Sequence, residues 1–430
     1  MSLTCEILST GDEVLTGQIT DTNATWLADQ LGTLGFVVTR HTTVGDDRER
    51  LEAAFRELGG RADIVACTGG LGPTVDDLTT EIAAKVAGCG LKLDEPALQR
   101  MQMLWQARGR PMPENNRKQA LLPELSEVLP NPVGTAPGFT MKLGRAVFFF
   151  MPGVPSEMKK MFSEQVAPRI EKLRPEPSIF QVRVLRTHGL PESKVDELLS
   201  RLEAQFPGVK LGFRAHFPEI QVKLTVQGKD AEAARQLLKS ASREVFKRLG
   251  PSIFSDGPSM EETVGELLKM EKGTISLAES CTGGMIGEML TSVPGSSSYF
   301  DRSFVTYTNT AKRDVLGVSE AILAEHGAVS ETCARAMAEG ARKLSGSRFA
   351  LSATGIAGPT GGSPQKPVGT VFVALATPAS TFARKIYFPG SRHQVRQITA
   401  MTALDMLRRH LTGLPVDGNR TDALPLEERG

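Results

Sequence analysis

Short apolar runs alternate with amphipathic segments in the amino-terminal part of the chain. Residues 5–8 and 64–67 are apolar runs of the length typical of buried strands. Between them, apolar side chains recur at the spacing of one helix face, as at Leu51, Phe55 and Leu58. Strands that alternate with helices predict a parallel sheet covered by helices, and therefore an α/β fold.

The pattern changes after residue 173. Residues 174–177 contain two prolines and predict a linker. Residues 179–254 follow a β-α-β-β-α order without a glycine loop that leads into polar catalytic residue types. This order predicts a small α+β domain that carries no chemistry of its own.

A third pattern begins where Ser259 and Glu262 stand at capping-box spacing before an apolar helix face. The strands expected in this part are residues 274–277, 349–352, 370–375 and 384–387, and the closing helix is residues 396–411. The polar tail from Pro415 is expected to fray. The predicted domains are residues 1–168, 175–255 and 258–414.

Composition narrows the classes of protein. The 430 residues hold 50 Lys and Arg against 49 Asp and Glu, a net charge of +1 that lacks the basic excess of a dedicated nucleic-acid binder. The five cysteines form no CxxC pair, which excludes an obvious disulfide framework or zinc knuckle. The start has no signal-peptide pattern and no run is long enough for a membrane span, so we expect a cytoplasmic protein with small-molecule partners.

A glycine loop at residues 68–74 separates a strand from a helix, which is a natural position for binding phosphate. Asp76 and Asp77 follow it and could hold a divalent metal that bridges to phosphate oxygens. Gly11 and Asp46 lie at other strand-to-helix junctions, which a parallel sheet gathers on one edge. The plainer alternative is a tight turn with aspartates that cap the helix.

Ser280 stands at another strand-to-helix turn, where nearby N–H groups could stabilise an oxyanion. No histidine lies near it in sequence, but Lys312 could act as its base if it were buried and neutral, with Tyr307 at a strand end beside it. Cys281 and Thr282 are rival nucleophiles. In the alternative without catalysis, Ser280 caps a helix, Lys312 is on the surface and Tyr307 is in the core.

These motifs resemble the CinA family (competence/damage-inducible protein A) over nearly the whole chain. The resemblance is carried by STGDEVLTGQITDTN from Ser9, TGGLGPTVDD from Thr68, AESCTGG from Ala278, GSSSYFDRSFVTYTNTAK from Gly295, GAVS from Gly327, TGIAGPTGGSPQKPVGTV from Thr354 and FPGSR from Phe388. It implies a molybdopterin-binding-like three-layer first domain, a KH-like α+β middle domain and a CinA α/β third domain.

The resemblance implies two activities and a homodimer. The third domain would be a nicotinamide-nucleotide amidase, which converts nicotinamide mononucleotide (NMN) to nicotinate mononucleotide and ammonia without a cofactor. The first would be an ADP-ribose pyrophosphatase that uses a divalent metal and yields AMP and ribose 5-phosphate.

Family roles transfer to matching positions in both domains. In the third, Ser280 would be the nucleophile or a water-orienting hydroxyl, Lys312 its base and Tyr307 an orienting residue. In the first, Asp77 and Asp46 would be catalytic and bind the metal. The residues implied in substrate binding are Thr282, Gly283, Gly284, Thr354, Gly355, Gly358 and Arg392 in the third domain, and Gly11, Asp12, Thr68, Gly69, Gly70, Gly72 and Thr74 in the first.

Two other hypotheses remain open. The first domain could handle a pterin in molybdenum-cofactor synthesis, although Leu71 and Asp76 depart from the TGGTG pattern of those relatives. Alternatively, the protein could act in competence or DNA repair by interaction alone, with vestigial sites. The middle segment lacks the GxxG loop with which true KH modules clamp nucleic acid, so no RNA binding is expected.

Overall fold

The amino-terminal part folds around a mixed six-stranded sheet. The computed structural model of the protein describes residues 3–174 and 179–416. The strands of this part are β1 (Thr4–Thr10), β2 (Val37–Val44), β3 (Ile64–Thr68), β4 (Leu91–Leu93), β5 (Leu121–Pro123), β6 (Glu127–Leu129), β7 (Gly138–Leu143) and β8 (Ala146–Met151). The helices are α1 (Asp12–Leu15), α2 (Thr22–Thr33), α3 (Arg48–Arg61), α4 (Thr79–Ala87), α5 (Glu95–Ala107), α6 (Pro155–Met161) and α7 (Ala167–Lys172).

The sheet has the strand order β2-β1-β3-β8-β7-β6, and the first four strands are parallel. Successive side chains of a strand point to opposite faces, so Ile7 packs with α2 and α6 while Leu8 packs with α3 and α4. This three-layer arrangement confirms the α/β class. It also brings the loops after β1, β2, β3 and β8 to the same edge of the sheet.

The middle part is an antiparallel sheet with helices on it. Its strands are β9 (Ile179–His188), β10 (Val209–His216), β11 (Glu219–Gly228) and β12 (Ile253–Asp256), in the order β10-β11-β9-β12. Its helices are α8 (Glu192–Leu199), α9 (Leu202–Gln205) and α10 (Ala231–Leu249). Strand β12 is an additional element that follows the predicted β-α-β-β-α order.

The carboxy-terminal part is a five-stranded sheet in the order β14-β13-β15-β16-β17. Its strands are β13 (Ile275–Glu279), β14 (Phe300–Val305), β15 (Phe349–Gly355), β16 (Thr370–Ala376) and β17 (Thr381–Tyr387). Its helices are α11 (Met260–Met270), α12 (Met285–Thr291), α13 (Asn309–Leu316), α14 (Glu320–Glu325), α15 (Glu331–Ser345) and α16 (Arg392–Leu411). Helices α11, α12 and α16 cover one face, and α15 covers the other with small alanine side chains.

Several predicted boundaries near the third domain's loops are wrong. Strand β13 runs on to Glu279, two residues past the expected end, whereas β14 stops at Val305 and leaves Tyr307 in a loop. Helix α16 begins at Arg392 instead of residue 396, because Ser391 and Gln394 form a capping box there. Glu279 therefore lies in strand β13 and Arg392 lies in helix α16, where loops were predicted.

The described residues divide into two compact units. One holds those up to Phe180 together with residues 227–229, and the other holds the remainder of the middle part and all of the third domain. Most of the middle part therefore belongs to the same compact unit as the third domain. Residues 175–178 and 417–430, which contain most of the predicted linker and tail, lie outside the described residues. No helix among residues 3–174 and 179–416 is long and apolar enough to cross a membrane.

Candidate active sites

Ser280 and Lys312 meet at the carboxyl end of the third domain's parallel strands. Ser280 directly follows β13, and its amide donates to the Ala353 carbonyl at 2.9 Å, which extends the ladder with β15. Helix α13, capped by the Thr308 side chain, carries Lys312 back toward that point. The Lys312 Nζ lies 2.9 Å from the Ser280 Oγ, with Lys312 only 1% and Ser280 only 7% exposed.

The surroundings of Lys312 favour a neutral amine. Burial lowers the pKa of Lys312, and no carboxylate within the described part of the chain forms an ion pair with it. Its Nζ also lies 2.9 Å from the Thr306 carbonyl and 3.4 Å from the Tyr307 carbonyl. A neutral amine can donate its two N–H groups to these carbonyls, which leaves its lone pair to accept the proton of the Ser280 hydroxyl.

The rival nucleophiles lack this arrangement. Burial raises the pKa of the Cys281 thiol to about 12, which keeps it protonated at neutral pH. The Thr282 hydroxyl is buried without a hydrogen-bond partner among the residues that the structure describes. Ser280 is therefore the neighbour that contacts a base. Lys312 is buried and Tyr307 is 56% exposed. The alternative without catalysis predicts the opposite, with Lys312 on the surface and Tyr307 in the core.

Glu279 holds the loop after Ser280 in place, and the sequence analysis missed it. Its buried carboxylate accepts from the amides of Gly284 at 2.9 Å, Ile286 at 3.1 Å and Gly287 at 2.9 Å. It also accepts from the Ser303 hydroxyl at 3.1 Å. The start of α12 is thus already occupied by an internal carboxylate, and the Gly284 amide donates to it.

The Gly283 amide also has a hydrogen-bond partner within the protein, because it donates to the Ser280 carbonyl at 3.1 Å. Thr354 and Gly355, two predicted binding residues at the end of β15, also contact other parts of the protein. The Thr354 hydroxyl donates to the Ala328 carbonyl at 2.7 Å. Gly355 lies within β15, where an added Cβ would stand 2.5 Å from a Val371 methyl group. Thr354 and Gly355 therefore shape the end of the sheet.

Two arginines of α16 face the Ser280 site. Arg392 donates to the Tyr307 phenol oxygen at 2.6 Å and to the Gly358 carbonyl at 2.8 Å. The Tyr307 side chain therefore pairs with Arg392, and only its carbonyl reaches Lys312. Arg396, one turn later, donates to the Thr282 carbonyl at 3.1 and 2.7 Å. The prediction missed Arg396, although the i, i+4 spacing of two arginines behind a capping box was a signal for it.

The first domain has a separate cavity of about 560 Å³ at the carboxyl edge of its sheet. Asp76 lines it, and so do most of the residues expected to bind a ligand there, which are Gly11, Asp46, Thr68, Gly69, Gly70, Gly72, Thr74 and Asp77. Asp12 does not line the cavity, but it exchanges two hydrogen bonds with Asp46. Further lining residues that the prediction missed are Ser9, Asn23 and Glu157.

The glycine loop requires its glycines. Gly70 has a φ of +67°, and an added Cβ would stand 2.0 Å from the Thr79 hydroxyl oxygen. Asp77 closes the loop, because its carboxylate accepts from the Thr74 amide at 2.9 Å and from the Thr74 hydroxyl. The Lys118 ammonium donates to the carbonyls of Thr74 and Asp77 from outside the loop. Asp77 thus closes the loop and does not cap α4, which begins after Leu78 without a side-chain cap.

Carboxylates crowd around Asp46. Its side chain accepts from the Asp12 amide at 3.1 Å, and the Asp12 side chain accepts from the Asp46 amide at 3.1 Å. Burial raises the pKa of Asp46, and the charges of Asp12, Glu13 and Asp76 raise it further. No three His, Cys, Asp or Glu side chains within the described residues form a metal-binding group. The donor set fits Mg²⁺ only in the common form of one or two carboxylates plus ligand phosphates.

Comparisons with known proteins cover most of the chain. Residues 6–172 match a model of a probable molybdopterin binding domain, residues 182–255 match the damage-inducible protein CinA KH domain, and residues 258–411 match the CinA C-terminal domain. A CinA-like protein of Anaeromyxobacter sp. (strain Fw109-5) is 46% identical over 411 residues, 95% of this chain and 99% of the relative. A CinA-like protein of Geobacter metallireducens is 46% identical over 406 residues, 94% and 98% of the two chains.

A solved structure is similar to part of the chain. The crystal structure of competence/damage inducible protein CihA from Agrobacterium tumefaciens is 43% identical. The match covers 36% of this chain and 97% of that chain, with a TM-score of 0.34.

Proposed function

Because the chain belongs to the CinA family, we propose that it is a bifunctional nucleotide hydrolase. In this proposal the third domain hydrolyses NMN to nicotinate mononucleotide and ammonia, and the first domain hydrolyses ADP-ribose to AMP and ribose 5-phosphate. The observation that carries the proposal is the 2.9 Å contact between Ser280 and a buried lysine without an ion-pair partner in the described residues. Such a pair is suited to acyl transfer.

The amidase step uses groups already in contact. Ser280 attacks the carboxamide carbon while its proton passes to the Lys312 amine, and the carbonyl oxygen takes the negative charge. When the tetrahedral intermediate collapses, Lys312 returns the proton to the leaving nitrogen and ammonia departs. Water then attacks the acyl carbon while Lys312 takes its proton. The bond between that carbon and the Ser280 oxygen breaks, Lys312 returns the proton to Ser280, and nicotinate mononucleotide leaves. Arg392 and Arg396 supply positive charge for the substrate phosphate.

The first domain would bind its ligand by a different set of groups. The loop offers the backbone of Gly70 and Gly72 to the pyrophosphate, whereas the Gly69 amide donates to the Met151 carbonyl at 3.0 Å. Closure by Asp77 holds the loop in shape. Asp46 and Asp76 would hold a divalent cation, which when bound would neutralise charge on the pyrophosphate. The same cation would relieve the repulsion between the carboxylates around Asp46.

One pair of variants tests whether each of the two domains carries its own activity. Ser280→Ala should abolish ammonia release from NMN and leave ADP-ribose cleavage within twofold of wild type. Asp77→Ala should do the reverse, because it opens the glycine loop. If both activities fall together in folded single variants, the two sites are not independent. Wild-type protein that releases no ammonia would instead support the hypothesis of vestigial sites.

A second candidate function exists for the first domain alone. The match of residues 6–172 to a probable molybdopterin binding domain favours pterin handling. Asp76, which adds a carboxylate to the cavity, favours a cation and pyrophosphate instead. Calorimetric titration with a molybdopterin precursor and with ADP-ribose separates the candidates, since the true ligand class should bind the more tightly.

A further inference from the structure

Two neutral polar groups in the wall of the first domain's cavity lack protein partners. The Ser9 side chain is 2% exposed and Asn23 is 8% exposed, and both line the cavity. The Ser9 Oγ and the Asn23 Oδ1 have no hydrogen-bond partner within residues 3–174 and 179–416. Buried polar atoms are nearly always paired, so two such atoms in one cavity require an explanation.

The orientation of the Asn23 amide follows from its neighbours. Its Nδ2 lies 2.7 Å from the Gly153 carbonyl and 3.0 Å from the Thr68 hydroxyl oxygen. A carbonyl can only accept, so the NH₂ group must face Gly153. The oxygen is therefore held away from these partners and remains a fixed acceptor. Thr68 in turn donates to the Pro152 carbonyl at 3.1 Å, which holds the pair in place.

Ser9 belongs to the same corner of the cavity. Strands β1 and β3 are parallel, and Ser9 is the register partner of Thr68. Register partners present their side chains on the same face of a sheet, so Ser9 lies on the face where Thr68 contacts Asn23. The carboxylates around Asp46 are those of Asp12, Glu13 and Asp76, which lie beyond the ends of β1 and β3. The cavity thus has a neutral corner, defined by Ser9, Asn23 and Thr68, beside its acidic part and glycine loop.

We propose that the neutral corner is a subsite for the nucleoside part of the ligand. The inference rests on the proposed function and adds a specificity-determining site to it. A phosphate oxygen cannot pair with the Asn23 oxygen, because both accept hydrogen bonds. A neutral N–H or O–H group of a base or ribose can donate to it, and Ser9 can donate or accept beside it. Such a ligand group satisfies buried atoms that the protein leaves unpaired.

The test compares AMP with inorganic pyrophosphate, which has no nucleoside, by calorimetry on the full-length chain. Ser9→Ala should weaken AMP binding about 3- to 10-fold, the effect of one neutral hydrogen bond, and leave pyrophosphate binding unchanged. Since Ser9 has no protein partner in the described residues, its substitution should not lower the thermal midpoint. Asn23→Ala should also weaken AMP selectively, while lowering the midpoint because the contacts to Gly153 and Thr68 are lost.

Thr140→Val is the matched control. This buried hydroxyl in the same sheet donates to the Phe148 carbonyl at 2.8 Å and does not line the cavity. The control should lower the thermal midpoint by a few degrees and leave AMP affinity unchanged. Unchanged AMP affinity in Ser9→Ala and Asn23→Ala, equal losses for AMP and pyrophosphate, or absence of AMP binding by wild type would each overturn the subsite. Selective AMP loss without ADP-ribose cleavage by wild type would overturn the proposed reaction and keep the subsite.

Discussion

The two candidate sites differ in the surroundings of their charged groups. In the third domain, the Glu279 carboxylate accepts four hydrogen bonds and the Lys312 amine has three oxygen neighbours. In the first domain, Asp46 lies among like charges, and Ser9 and Asn23 keep atoms unpaired within the described residues. The third domain holds Ser280 and Lys312 in position by its own contacts, whereas in our proposal a ligand and a cation complete the contacts of the first.

The largest effect should come from removing the base. Lys312→Met should lower the kcat for ammonia release about 1,000-fold, since general bases contribute on this scale. It should also raise the free energy of unfolding at pH 7, because it removes a buried amine without an ion-pair partner in the described residues. Chemical denaturation measures this gain. An active Lys312→Met enzyme would mean that Ser280 uses another base.

A chelator should separate the two sites. EDTA should lower ADP-ribose cleavage about 100-fold or more and leave ammonia release within twofold, because in our proposal a cation is held by the carboxylates that line the first domain's cavity beside the glycine loop. Added Mg²⁺ should restore the lost activity. Equal inhibition of both reactions by EDTA would remove the distinction drawn between the sites.

The amidase should depend on pH through Lys312. Its neutral form is the active one, so kcat should rise up to tenfold per pH unit until the pKa of Lys312 in the folded protein and stay flat above it. That pKa lies below the unfolded value near 10.5, so between the two the unfolded chain binds more protons. Stability should therefore rise with pH across this window. The slope should be smaller in Lys312→Met, and an unchanged slope would assign it to other groups.

One carboxylate in each domain should respond oppositely to neutralisation. Glu279→Gln replaces an acceptor oxygen by NH₂ among four donors, so it should cost about 2 kcal/mol of stability and lower the amidase kcat about tenfold. Asp46→Asn removes repulsion and should leave the first domain as stable or more stable. Denaturation of both variants tests the contrast, which fails if Glu279→Gln is as stable as wild type.

The smallest effect should come from Tyr307→Phe. The phenol oxygen contacts Arg392 at 2.6 Å and the ring is 56% exposed, so its loss should raise the KM for NMN about threefold with little change in kcat. Steady-state kinetics separates the two constants. A large fall in kcat would instead assign the phenol to the proton transfer between Ser280 and Lys312.

Much of the fold follows from local pattern, and the errors have local causes. Apolar periodicity located most of the strands, but the pattern stopped at residue 277, so Glu279 was placed in the loop instead of the buried end of β13. A buried carboxylate looks like a surface residue in sequence because its partners are backbone amides. Arg396 was missed for a related reason, since its partner is the carbonyl of Thr282.

The alternation of strands and helices, the capping box at Ser259 and the glycine loops could be predicted from the sequence, because these features depend on neighbours along the chain. It also named Ser280 and Lys312, which are 32 positions apart. Three features became visible with the tertiary structure. Lys312 is buried and forms no ion pair with a carboxylate among the described residues. The Tyr307 phenol contacts Arg392, and Asp46 lies among like charges. Protonation depends on distances through space and on exclusion of water, which local pattern does not encode.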